Sequence, residues 1–222
     1  MTIGRLFEGL PTKLHELLRR TGSVRSYAAD QTLFHEGDLP AKLIVILEGQ
    51  VRIWRSSLSG SAMTIHIMGP GDVPGCVAVF RQIPYPATAT GVAPGRIMTW
   101  PIDRIAALMK EHPALAENAL AIVGGRATEL LQRLHEVSTE EVGQRLARTL
   151  LRLRDRAVEG ESEEPVALRV SRQQLAELTA TTLYTVSRLI SRWEKEGMVT
   201  GGRGTITIRQ RQALAKRARG VS

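Results

Sequence analysis

Between Val24 and Trp100 the apolar residues come in short runs, at Leu43–Leu47, Val51–Trp54, Met63–Met68 and Arg96–Trp100. Glycine-bearing turns punctuate them at Glu36-Gly37, Glu48-Gly49-Gln50, Ser59-Gly60-Ser61, Gly69-Pro70-Gly71-Asp72 and Pro94-Gly95. This rhythm predicts a small antiparallel barrel or jelly roll, preceded by a short helix around Pro11–Arg20.

The periodicity then changes. From about Pro113, residues Leu120, Val123, Ala127, Leu130, Leu134 and Val137 recur at spacings of 3, 4, 3, 4 and 3, the seam of a heptad helix. Gly124 and Gly125 weaken that helix locally, so packing must compensate. The same spacing fits a helix buried against its own barrel. A second helix restarts at Ser138, where Ser138 and Glu141 have capping-box spacing, and it carries Val142, Leu146, Leu150 and Leu153 on one face to Asp155. The break at Val137-Ser138 is the expected hinge.

Residues Val170 to Val199 contain two further helical patterns separated by a polar break. Ser171 with Gln174 forms another capping box, Leu175 and Leu178 share a face, and Thr179 to Thr182 interrupt. A second helix from about Thr182 carries Val186, Leu189, Ile190 and Trp193 on an apolar stripe and stops at Gly197, a residue suited to the left-handed cap. Its other face shows Tyr184, Thr185, Ser187, Arg188, Ser191 and Arg192, donors suited to phosphates and base edges. This is a helix-turn-helix pattern. Strands at Val166–Val170 and Thr205–Ile208, the latter after a Gly-Gly-Arg-Gly turn, make it a winged variant. The fold class is α+β.

Charge placement supports a polyanionic partner. From Gly143 onward sixteen Lys and Arg face eight Asp and Glu, a net +8, whereas residues 1–142 hold fourteen of each sign. Phosphate neutralisation supplies most of the non-specific affinity of DNA-binding proteins, so an excess confined to one segment marks that segment. No run of eighteen uncharged apolar residues exists, and Met1–Leu10 contains Arg5 and Glu8 and lacks a signal-peptide core. A cytoplasmic protein with no membrane partner is expected. The single Cys76 excludes an internal disulfide, a four-cysteine iron–sulfur cluster and a cysteine-rich zinc site within one chain. No P-loop, HExxH, Gly-x-Ser-x-Gly or paired metal-ligand spacing is present, so an enzyme is not expected. A ligand-binding or scaffold module that uses its helices for proteins remains the alternative.

In this order the motifs resemble the CRP/FNR superfamily of bacterial transcription regulators over nearly the whole chain. The matches are Phe34-His35-Glu36-Gly37-Asp38, Leu47-Glu48-Gly49, Gly71-Asp72, Gly143-Gln144-Arg145-Leu146-Ala147, Ser171-Arg172-Gln173 and Thr185-Val186-Ser187-Arg188-Leu189. The resemblance implies a cyclic-nucleotide-binding-like β-domain over residues 1–112 that senses an effector. It further implies a dimerisation helix over 113–137 and a winged helix-turn-helix DNA-binding domain over 138–222. The partners implied are a second copy of the chain, a pseudo-palindromic DNA operator and RNA polymerase, which some relatives touch through a surface corresponding to Asp155–Glu164; an acidic solvated linker also explains that stretch.

Cyclic-AMP-binding members have a Gly-Glu-Leu-Ala-Leu turn followed by an Arg-Ser pair, the glutamate taking the ribose hydroxyl and the arginine the phosphate. Gly75-Cys76-Val77-Ala78-Val79 aligns with that turn, and Pro86 and Ala87 stand in place of Arg-Ser. Leu130 and Leu131 occupy dimer-helix positions where adenine-binding members place hydroxyls, while Arg126 remains. Each lost charge-assisted hydrogen bond forfeits roughly 1.5–3 kcal/mol. Cyclic AMP bound in the usual way is therefore not expected. What replaces it is open among a redox-active Cys76, a haem held by unassigned histidines or methionines, and an apolar molecule or none. Cys76 also reads as an apolar filler, and His66, on a strand between Ile65 and Ile67, faces either inward or outward.

For DNA, the resemblance puts Arg188 on the half-site with Ser187 beside it. Tyr184 replaces a glutamate that accepts from cytosine N4 in many relatives, and Leu183 replaces an arginine of the cyclic-AMP branch, which predicts an altered site preference. Gln173, Thr182 and Thr185 are the candidate phosphate contacts, with helix capping as the competing role of Thr182.

Overall fold

Alternating burial along the strands builds the N-terminal sheet. The computed structural model describes residues 4–56, 62–157 and 165–220. After a 3-10 turn at Arg5–Phe7 come α1 (Thr12–Thr21), β1 (Ser23–Tyr27), β2 (Thr32–Phe34), β3 (Lys42–Ser56) and β4 (Ala62–Met68). Then follow α2 (Cys76–Arg81), β5 (Thr88–Pro101) and α3 (Ile102–Glu111). The strands form one sheet in the order β1-β5-β3-β4, with β2 also paired to β5. In β3, Val51 and Ile53 point inward while Arg52 and Trp54 are partly exposed, the period of two expected of a half-buried strand. Trp100, fully buried, anchors the core: its ring packs 5.2 Å from Phe7 and its Nε1 donates to the Leu18 carbonyl at 2.8 Å.

Two expected turns are not turns. β3 runs straight through Glu48-Gly49-Gln50 and β5 through Pro94-Gly95, and the register between them shifts there instead. The cause is crowding. Gly49 is left-handed (φ 82°), and a Cβ on it would meet the Gly95 Cα at 2.8 Å and the Tyr27 hydroxyl at 2.6 Å. Tyr27 closes the bulge by donating to the Glu48 carbonyl at 3.0 Å. The Ser59-Gly60-Ser61 turn lies outside the described residues, as do residues 158–164 of the acidic loop.

The long helix α4 (Pro113–Thr139) has 27 residues. At 1.5 Å per residue this is about 40 Å of helix. Helix α5 (Val142–Ala157) follows, so the expected break at Val137-Ser138 falls at 140–141. Ser138 does not cap α5; its Oγ donates back to the Leu134 carbonyl at 2.9 Å inside α4, and Gln144 accepts from the Glu141 N–H at 2.9 Å. The C-terminal elements are β6 (Val166–Leu168), α6 (Arg172–Leu178), α7 (Leu183–Lys195), β7 (Val199–Gly202), β8 (Thr205–Ile208) and an unanticipated α8 (Arg211–Ala218). Strand β6 is two residues shorter than expected. The three strands form an antiparallel sheet, β6-β8-β7. Leu146, Leu150, Leu175, Val186, Ile190, Trp193, Ile206 and Leu214 make the core they share with the helices.

The chain divides into two compact units, Met1–Gly60 with His66–Glu129, and Ser61–Ile65 with Leu130–Ser222. Among the described residues no helix is long and apolar enough to cross a membrane.

Candidate nucleic-acid interface and effector site

The outer face of α7 is set by its first turn. Thr182 is extended and its Oγ1 accepts the Thr185 N–H at 3.2 Å, so Thr182 caps the helix, while the hydroxyls of Thr182 and Thr185 lie 2.9 Å apart. Ser171 and Gln174 form the expected reciprocal capping box of α6, bonding at 3.1 and 2.8 Å. The turn between the helices passes through Ala180 at φ 50°, and Gly197 closes α7 at φ 74°. Val186, Ile190 and Trp193 are buried, which leaves the opposite face outward.

That face gathers the DNA candidates. Leu183 and Tyr184 are 47% and 70% exposed, Arg188 is exposed, and an open cleft along the helix is lined by Tyr184, Thr185, Ser187, Arg188, Ser191, Arg192 and Lys195 among others. The Arg188 guanidinium lies over the Tyr184 ring, 5.7 Å from its centroid. Gln173 is exposed on α6, with its amide donating to Glu177 at 3.0 Å.

Two residues that sequence reasoning missed hold this face in place. Glu194, on α7, accepts the Gly201 N–H of the wing at 2.6 Å and pairs with Arg172 at 3.4 Å. A Cβ on Gly201 would meet the Glu194 carboxylate at 2.5 Å, so a larger residue there would displace that carboxylate from the wing. Arg145 is 8% exposed and donates to the Thr179 carbonyl at 3.0 Å and the Glu140 carbonyl at 2.6 Å. A lone acid on a helix and an arginine in an amphipathic pattern read as solvated charges, so neither gave a signal beyond the family motif around Arg145. Upstream, Glu136 is 3% exposed and faces Arg152 at 2.5 Å and Arg148 at 3.7 Å.

In the N-terminal unit, Gly75 (φ 70°) precedes α2, and a Cβ on it would run into the Tyr85 ring, itself stacked on Phe34 at 3.7 Å. Cys76 and Ala87 are buried, whereas Val77 and Pro86 are exposed. Arg126 pairs with Asp72 and lies 3.5 Å from Glu129. His66 faces inward: it is 6% exposed, and its Nδ1 is 3.8 Å from Glu129. Asp72 and Glu129 were not anticipated as site residues, because one read as a turn former and the other as a solvated helix position. Burial pushes the Cys76 thiol above its ordinary pKa, with the Arg126 charge opposing. Among the described residues no group of three or more His, Cys, Asp or Glu could hold a metal ion.

On α4, Leu120, Leu130, Leu131, Leu134 and Val137 are exposed at 43–73%, Ala127 is exposed and Val123 half-buried. The expected seam is thus an outward apolar stripe.

Two family models match the chain, a cyclic nucleotide-binding domain over residues 24–112 and a Crp-like helix-turn-helix domain over 144–217. The chain is 29% identical to the cyclic AMP receptor protein of Thermus thermophilus, over 98% of each chain. It is 25% identical to the global nitrogen regulator of Synechocystis sp., over 91% of this chain and 94% of the relative. Among solved structures FixK2 from Bradyrhizobium japonicum is similar in fold, with a TM-score of 0.74 over 88% of this chain and 96% of that one at 19% identity.

Proposed function

Because this chain belongs to the CRP/FNR superfamily of bacterial transcription regulators, we propose that it acts as a homodimer reading a pseudo-palindromic operator through α7, under the control of an effector other than conventionally bound cyclic AMP. The observation that carries this reading is the exposed face of α7, where Arg188 makes no ion pair among the described residues and which lies in the segment from Gly143 onward that carries a net +8. Arg188 is the base reader, Ser187, Tyr184 and Leu183 its neighbours on the groove edge, and Gln173, Thr182 and Thr185 the phosphate contacts. The exposed stripe of α4 supplies the dimer seam, and a two-fold dimer matches a two-fold site.

The effector reading rests on charge. The cyclic AMP receptor protein of Thermus thermophilus is 29% identical to this chain, which has Cys76, Pro86 and Ala87 where the resemblance to cyclic-AMP-binding members calls for Glu, Arg and Ser. The remaining Arg126 is neutralised internally by Asp72 and Glu129. An anion entering there must compete with two carboxylates already in place, which favours an uncharged effector.

A gel-shift series across salt concentrations, using a site selected from random duplexes, tests the DNA reading. Affinity should fall steeply and linearly on a log–log plot. Arg188→Ala should cost about 1–3 kcal/mol and relax specificity at one base pair. A complex indifferent to salt would instead support a protein-binding scaffold. Calorimetry showing micromolar cyclic AMP binding would sink the effector reading and leave the DNA reading intact.

A further inference from the structure

We propose that Tyr184 is the positioning residue for Arg188, holding the guanidinium by the face of its ring while leaving the arginine's N–H donors uncommitted for a base edge. The inference rests on the DNA reading of α7 given above. The two residues are four apart on one helix, and helical side chains lean toward the N-terminus, so Arg188 reaches back over the residue at position 184. The guanidinium carbon is 5.7 Å from the ring centroid, within cation–π range.

The neighbouring arginines show what is different here. Arg192 is held by Glu196 at 3.0 Å and Arg172 by Glu194 at 3.4 Å, both through guanidinium N–H groups. Arg188 makes no ion pair among the described residues, and its one recorded partner is a ring. A carboxylate would orient the arginine by occupying the donors that must later reach guanine O6 and N7; a ring attracts the cation through its quadrupole and occupies none of them. Tyr184 therefore narrows the conformations of an exposed arginine in advance of binding, and the discrimination exerted by Arg188 depends on a neighbour that need not itself read a base.

The test is a double-mutant cycle on a duplex selected by the full-length protein. Dissociation constants are measured at one salt concentration for wild type, Tyr184→Ala, Arg188→Ala and the double variant, on the selected site and on sites with single half-site base pairs replaced. Tyr184→Ala should weaken binding roughly 2- to 5-fold when Arg188 is present and by nothing further when it is absent. Tyr184→Phe, which keeps the ring, should behave as wild type. Additive losses, or equal losses in Tyr184→Phe and Tyr184→Ala, would overturn the proposal. In the free protein, NMR should show the Arg188 Hδ resonances shifted upfield by the ring and restored in Tyr184→Ala. If no duplex is selected but this shift is present, the DNA reading fails while the pairing stands; without the shift the pairing itself fails.

Discussion

Cys76 stands where the resemblance calls for a glutamate, and its surroundings decide which of its possible roles the residue can fill. Burial raises its pKa, so the thiolate needed for redox chemistry is scarce near neutrality, and its 6% exposure limits access. Packing is the role these facts favour. Burial acts in the same direction on Tyr27 and Tyr85, whose phenols are pushed up to about 12, with Asp38 adding to the shift of Tyr85. Because the folded values lie above the ordinary 10, the neutral phenols contribute stability in full below about pH 10, and it is lost as pH rises through about 12. Absorbance at 295 nm should therefore show two of the three tyrosines ionising late, and urea should bring both back to ordinary titration. At this scale the sequence disclosed residue types but not their company. The spacing of Ser171 and Gln174 was sufficient to find a cap because both partners are local, whereas Asp72 meets Arg126 and His66 meets Glu129 only through folding.

Local rules also explain where elements were legible and where they were not. The helices α6 and α7 follow from their caps and apolar faces, and their boundaries emerge within a residue or two. The hinge was misplaced because Ser138 and Glu141 have capping spacing, yet an established helix extends more readily than a new one nucleates, so Ser138 bonds backward into α4. The glycines at Gly49 and Gly95 read as turns because a chain must bend at such residues far more often than two strands must cross a bulge. Arg145 exemplifies a contact that no periodicity reveals: it ties the α4–α5 junction to the turn of the helix-turn-helix by two backbone carbonyls. Arg145→Met, which keeps the stem but removes the donors, should cost about 1–3 kcal/mol in urea unfolding, because the Thr179 carbonyl loses its partner in a buried setting. Arg145→Lys should recover only part of this, since one ammonium cannot reproduce the fork.

For the molecule as a whole, most of the positive excess falls in one structural unit: Ser61–Ile65 with Leu130–Ser222 carries +6 of the net +8, because Glu136, Glu140 and Glu141 outweigh Arg133 ahead of Gly143. The distribution of tryptophans follows the same division and has a practical consequence for spectroscopy. Trp54 and Trp100 belong to the N-terminal unit, while Trp193 lies on the inner face of α7, 3% exposed. The difference in emission between wild type and Trp193→Phe therefore isolates the C-terminal unit without any attached dye. If the two units melt separately, wild type should show two fluorescence transitions in denaturant and Trp193→Phe should lose one; a single shared transition would mean that they unfold together. Since Trp193 points away from the face that carries Arg188, its light should report the integrity of the reading helix, bound or free, without quenching by a nucleobase.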